Sequence, residues 1–287
     1  MEQFSAFLTN EKLLSPSTTA SYLRDIKLFS AFLKKEPAEA QEEDVHAFIL
    51  RMQSDGRANT TILRSLSALH TYFNFLVSTG KLRENPAANI TRPEIDHKLP
   101  IILSPEEANR LLTAPEGDSP LAVRDRAMLE LLYATGMTVS ELIGLDIENM
   151  NLRRRTLTLR RGGRKRTVPF GRPAATAMNL YLKQARPLLF KGSGEVALFI
   201  NCNGTRMSRQ GFWKLVKKYK AIASIDKEIT PHMLRHSFAA HLLENGADLS
   251  SIQEMMGFID PASTAIYTKI VENKILDVYQ KAHPRAN

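Results

Sequence analysis

Three X-Pro steps, Asn85-Pro86, Arg92-Pro93 and Leu99-Pro100, interrupt a chain otherwise patterned for helices on both sides. Proline disfavours the helical conformation in the residue before it, so residues 85–100 read as an extended stretch no continuous bundle can run through. The chain is therefore read as two domains, 1–88 and 103–287, with a linker over 89–102. At 287 residues and 43% hydrophobic content, it has enough apolar material for two packed cores.

The first part reads as four helices. Phe4, Phe7 and Leu8 mark one; Ser15-Pro16 opens the next, with Tyr22, Ile26, Phe29 and Leu33 on one face. Glu42-Glu43-Asp44 starts a short helix carrying Val45, Phe48, Ile49 and Met52. Asn59-Thr60-Thr61 starts another with Ile62, Leu66, Leu69, Phe73 and Leu76 at helical spacing, ending at Gly80. This aromatic stripe is core. Arg57, Arg64 and His70 lie on the polar side, as candidates for a nucleic-acid face or as solvated surface.

After the prolines, Ser104-Pro105-Glu106-Glu107 is a capping box that restarts helix. Helices are expected over 106–112, 121–133, 174–188 and 209–223, and strands over 156–160, 165–169 and 196–200, the first two joined by Gly162-Gly163. A last amphipathic helix is expected over Val271–Lys281. The fold class is mainly α with a small antiparallel β-sheet.

Net charge is +9, and no Asp or Glu occurs between Asn149 and Gly194. That window holds Arg153, Arg154, Arg155, Arg160, Arg161, Arg164, Lys165 and Arg166 among alternating apolar residues, which describes a folded basic surface facing a polyanion. Arg164, Lys165 and Arg166 join Arg57 and Arg64 as candidate DNA contacts. Cys202 is the only cysteine, which excludes an intrachain disulfide and a cysteine-rich metal site. The start lacks a signal-peptide pattern and no apolar run reaches membrane-spanning length, so a soluble, cytoplasmic, nucleoid-associated protein is expected, with no membrane partner.

Chemistry concentrates between Thr230 and Thr268. Thr230-Pro231 opens a helix on which His232 and Arg235 share a face; Gly246 stops it, and Ala247-Asp248 restarts a second helix through Met256. Tyr267 follows a break at Asp260-Pro261. A tyrosine nucleophile needs a phosphate held by cationic donors and a group to manage its proton, and the segment supplies candidates for each.

At these residues the chain resembles the tyrosine recombinases (phage integrases), most closely the bacterial XerC/XerD group. The resemblance rests on His232-Met233-Leu234-Arg235-His236-Ser237-Phe238-Ala239-Ala240-His241-Leu242-Leu243, on Gly246-Ala247-Asp248, Ile252-Gln253 and Met256-Gly257, and on Tyr267-Thr268. Upstream, Arg124–Gly136 matches the segment leading to the family's first catalytic arginine, and His283-Pro284-Arg285-Ala286 resembles the Xer ending. It implies an N-terminal SAM-like core-binding bundle and a C-terminal catalytic domain.

The same resemblance implies that Tyr267 attacks the scissile phosphate to form a 3′-phosphotyrosine, with His232 and Arg235 beside it and with neither metal nor nucleotide cofactor. Three family positions are changed: Thr138 stands for the first arginine, Arg161 for the hairpin lysine, and Phe258 for a histidine or tryptophan. A hydroxyl carries no charge, and a guanidinium does not give up its proton at ordinary pH, so Thr138 and Arg161 are weak replacements. The expectation is an Xer-like recombinase of weakened activity; the alternative is an inactive DNA-binding relative that acts as an architectural or regulatory partner. The implied assembly is a homo- or hetero-tetramer on duplex DNA, with itself or a second recombinase, its C-termini exchanged between subunits.

Overall fold

The computed structural model describes residues 1–93, 100–161, 163–192, 194–257 and 266–270. Phe258 and the expected helix over 271–281 lie outside the described residues. The chain divides into two compact units, Met1–Lys98 and Leu99–Asn287.

The first unit packs α1 (Glu2–Asn10), α2 (Pro16–Leu33), α3 (Glu42–Ser54) and α4 (Asn59–Ser78). Ser15 caps α2 by accepting from the Thr18 amide, with Pro16 in the first turn where no helical donor is lost. Asp44 reaches back to the Gln41 amide to start α3. The aromatic stripe closes on itself: Phe29 meets Phe48 and Phe73 edge-on, and Phe4 meets Tyr72 at 4.9 Å between ring centres. The extended reading from residue 85 fails at its start. The Asn85 amide donates to His70 O and Asn74 Oδ1 and its oxygen accepts from Ala87 N, forming a turn that buries Ala87 and Ile90 in this core.

In the second unit, Ser104 and Glu107 form the expected capping box at α5 (Pro105–Thr113). The long α6 (Pro120–Thr135) ends at left-handed Gly136 and is followed by α7 (Val139–Gly144), which the sequence reading did not foresee. Strands β1 (Met150–Asn151), β2 (Thr156–Arg161) and β3 (Arg164–Pro169) form an antiparallel meander in which Leu157 faces Val168 and Leu159 faces Arg166. Leu157, Leu159 and Val168 are buried, so this face lies on the core and carries Arg166 with it.

The strand expected over 196–200 forms only isolated bridges, Asp146–Ala197 and Ile200–Arg206. Side chains meet three of its carbonyls: Arg186 donates to Ala197 O and Leu198 O, Tyr181 to Leu198 O, and Arg124 to Ile200 O, while Val196 O and Phe199 O accept from the backbone amides of Ile147 and Met207. The helix expected over 174–188 is three pieces: α8 (Arg172–Leu180), a π-helical turn over Tyr181–Ala185, and α9 (Arg186–Leu189). Pro187 accounts for the widening, since its ring would collide with the carbonyl four residues back in a regular α-helix. The unit is completed by α10 (Arg209–Ile222), α11 (Pro231–Glu244), α12 (Leu249–Met256) and a helical turn over 266–270. Thr230 occupies the cap position of α11 but makes no side-chain capping bond. Asp248 does cap α12, through the Ser251 amide. No helix among the described residues is long and apolar enough to cross a membrane.

Candidate active site

Helix α11 presents His232, Arg235, His236 and Ala239 at i, i+3, i+4 and i+7, which places them along one stripe. Its apolar neighbours Phe238, Ala239 and Ala240 pack with Ile252, Met256, Tyr267 and Ile270. That small core seats Tyr267 against α11, although 31 residues separate it from His236 in the chain. The Tyr267 hydroxyl lies 2.8 Å from His236 Nδ1, and the rings are 5.7 Å apart.

Tyr267 is fully buried. Burial pushes its phenol up to about 12, against the opposing pull of the Arg235 charge. His236 is half-buried, and burial, then His232, then Arg235, hold its imidazole down to about 4. At neutral pH the pair is therefore a protonated phenol facing a neutral imidazole. His232 is exposed, its ring centre 6.1 Å from that of His236.

Arg235 is buried at 3% exposure, and its guanidinium donates to Gly136 O and Met256 O. It thus ties the end of α6 to the end of α12. Two residues past Gly136 stands Thr138, the cap of α7. Its backbone N–H and hydroxyl both donate to Glu141 Oε2, at 2.8 and 2.9 Å, while the hydroxyl oxygen accepts from Glu141 N. The other Glu141 oxygen accepts from Arg166 Nη1 at 2.6 Å, and Arg166 Nε donates to Met255 O. Arg166 and Arg235 therefore grip neighbouring carbonyls at the end of α12. One Arg166 nitrogen, Nη2, is buried without a hydrogen-bond partner among the described residues.

The burial of Glu141 raises its carboxyl, but the hydrogen bonds from Arg166 and Thr138 outweigh this and hold it below the usual glutamate range. Gly257 is part of the same arrangement. A Cβ there would stand 2.9 Å from Arg166 Nη1, and its φ of +66° suits glycine.

The phage integrase family model matches residues 102–274, and the model of the phage integrase N-terminal SAM-like domain matches residues 1–80. The chain belongs to the phage integrase, or tyrosine recombinase, family. It is similar to the tyrosine recombinase XerD of Oceanobacillus iheyensis, 41% identical over 293 residues that cover 100% of this chain and 98% of that one. It is 36% identical over 293 residues to XerD of Listeria monocytogenes, covering 100% of this chain and 99% of the relative. In fold it resembles the crystal structure of the XerH site-specific recombinase bound to palindromic difH substrate, with a TM-score of 0.76 at 21% identity over 91% of this chain and 79% of that one.

In this Xer-type tyrosine recombinase the residues singled out from sequence fall into three places. Arg235 and Tyr267 are both buried and near enough for the Arg235 charge to act on the phenol, while His232 lies exposed beside His236. Thr138 is linked to Arg166 through Glu141, and it lies two residues past Gly136, whose carbonyl accepts from Arg235. Arg161 ends β2 opposite Arg164 in the register. Of the basic candidates, Arg57, Arg164 and Lys165 are exposed, while Arg64 pairs with the buried carboxylate of Asp25 and Arg166 with Glu141.

Sequence reasoning passed over His236, Glu141 and the inward position of Arg166. Two signals were available. His236 continues the helical stripe of His232 and Arg235, and strand alternation back from the apolar Val168 puts Arg166 on the core face.

Proposed function

We propose that this recombinase binds duplex DNA and cuts and rejoins strands through a covalent bond between Tyr267 and a 3′ phosphate, at a rate lowered by Thr138, Arg161 and Phe258. The observation that carries the reading is the 2.8 Å contact of the Tyr267 hydroxyl with His236, 31 residues away in sequence, within reach of the buried Arg235 charge. The names of the Xer relatives, and of the neighbour crystallised on its difH substrate, support DNA as the substrate. Arg235 supplies one guanidinium for the non-bridging oxygens, where charge builds in the transition state.

Thr138 supplies none: its single hydroxyl proton is held by Glu141. Loss of one such donor costs on the order of 3–4 kcal/mol of transition-state stabilisation. Arg161 holds a phosphate but is a poor acid for the leaving 5′ oxygen, because the guanidinium retains its proton. We assign His232, exposed beside His236, a further hydrogen bond to the phosphate. To residues 1–88 we assign a core-binding, DNA-binding role and to residues 103–287 a catalytic role, joined by the linker 89–102, and to the protein a tetrameric assembly with itself or a second recombinase. Arg57, Arg164 and Lys165 serve as backbone contacts.

A second reading, a DNA-binding partner without strand cleavage, is favoured by one feature, the complete burial of an un-ionised Tyr267. Incubation with nicked suicide duplexes carrying a randomised core separates the two. The first reading expects a covalent protein–DNA adduct that vanishes in Tyr267→Phe; binding without any adduct establishes the second.

A further inference from the structure

We propose that Ser237 and His241 are positioning residues: they latch the end of the linker onto α11 and so hold Arg235 and Tyr267 in place for strand cleavage. The proposal rests on Tyr267 as the nucleophile and adds to that reading the groups that steady the scaffold behind it. Leu103, the first residue after the linker, is buried, and side chains of α11 take both of its backbone polar groups. Its amide donates to Ser237 Oγ at 2.9 Å, and its carbonyl lies 3.0 Å from His241 Nε2. A carbonyl can only accept, so Nε2 carries a proton. The Tyr133 hydroxyl meets the other ring nitrogen at 2.7 Å. On the preceding residue, Ile102 O accepts from the Lys227 ammonium at 3.2 Å, which also pairs with Glu107. The Ile102–Leu103 peptide and the carbonyl after it are thus all fixed by side chains.

Two routes lead from this latch to the reacting groups. Ser237 and His241 are one turn apart on α11, on the face roughly opposite Arg235. Tyr133 stands three residues before Gly136, whose carbonyl accepts from Arg235, so the latch reaches the guanidinium through α6 as well as through α11. The second route is apolar. Ile102 packs on the small core that holds Phe238, Met256 and Tyr267, so the end of the linker also backs the nucleophile.

A displaced linker end would therefore shift α11 and the tyrosine core together. Misplacement by about 1 Å at a reacting centre costs on the order of 10²-fold in rate, so a latch remote from the phosphate is sufficient to govern cleavage. Ser237 and His241 are both buried, and removing either leaves a buried backbone group of Leu103 without its partner, which opens the latch at that point.

Two measurements on the full-length protein test the assignment. The first is adduct formation on saturating nicked suicide duplex. His241→Leu keeps much of the bulk and removes both hydrogen bonds; it is expected to slow adduct formation by on the order of 10- to 100-fold with DNA affinity unchanged. His241→Gln, whose amide can donate to Leu103 O as Nε2 does, is expected to recover most of that rate. A Leu variant as fast as the wild type, or a Gln variant as slow as the Leu, overturns the proposal. The second is hydrogen exchange, which needs no cleavage. Loosening the latch should raise exchange both around Leu103 and across residues 266–270; a rise confined to Leu103 shows a local anchor and overturns the coupling. Ser237→Ala deletes a single oxygen and carries both measurements if His241→Leu does not fold, with the same pattern expected. If the wild type forms no adduct at all, the cleavage reading fails by itself, and the exchange pattern still decides whether the linker end and the Tyr267 turn are coupled.

Discussion

Thr138 holds its place in the fold through the same atoms that a phosphate would need. Its hydroxyl donates to Glu141 and accepts from the Glu141 amide, so turning it toward DNA would dismantle the cap of α7. Thr138→Arg should therefore have two opposite effects. Loss of the cap lowers stability by ~1 kcal/mol, read by urea denaturation. The restored guanidinium raises Tyr267 adduct formation by roughly two to three decades. A variant that is destabilised and no faster would show that position 138 does not face the phosphate.

Glu141 sits between Thr138 and Arg166, and removing its charge strands a mostly buried guanidinium. Glu141→Gln should cost about 3–5 kcal/mol, in line with breaking one side of a buried pair. The pH dependence has a definite sign. The folded carboxyl is held below its ordinary range, so its stabilisation is full above the unfolded value and is lost as pH falls through the folded one. In acid titrations followed by circular dichroism, wild type should lose this increment and Glu141→Gln should show a shallower decline. Parallel curves would mean that the pair contributes nothing.

At the scale of elements, periodicity and capping made most helices legible. Ser15, Ser104 and Asp248 cap where their spacing indicates, and the buried faces of α3 and α4 are those read from the apolar repeats. What escaped reading depends on partners distant in sequence. Val196–Ile200 has strand-like residues, but the carbonyls of Ala197, Leu198 and Ile200 are taken by Arg186, Tyr181 and Arg124, so only isolated bridges form. The Tyr267–His236 contact needs α12 and the 266–270 turn to fold back on α11, and no local pattern encodes that return. Arg235 and Tyr267 stand out in the sequence because a family motif carries them; the distant groups they contact, such as the Gly136 carbonyl, have no such signal.

Gly136 shows how tightly two of these elements meet. Its φ is +59°, and a Cβ there would lie 2.3 Å from Phe238 Cδ1 on α11, the helix that carries Arg235. Gly136→Ala combines a left-handed backbone with an overpacked contact and should destabilise by at least ~2 kcal/mol. Thermal unfolding checks this, and a melting point equal to wild type would mean that α6 and α11 are free to separate at that point.

For the molecule as a whole, the +9 charge is expected to act through exposed cations and not through those folded inward. Arg164 and Lys165 stand exposed at the start of β3, next to Arg166, which is turned to the core and neutralised by Glu141. The three are consecutive and equal in formal charge, so they separate net charge from placement. DNA affinity should fall steeply with salt, because each phosphate neutralised releases condensed counterions, and log K against log salt should be linear. Arg164→Gln with Lys165→Gln should flatten that slope by roughly 2, one for each lost phosphate contact, and weaken binding to all sequences alike. Arg166→Gln should leave the slope nearly unchanged and instead lower the unfolding free energy, since it removes the partner of a buried carboxylate. Fluorescence anisotropy on a labelled duplex at several salt concentrations, beside urea melts of the same proteins, distinguishes the two outcomes. Equal slopes for all variants would place the DNA-facing surface away from the β2–β3 hairpin.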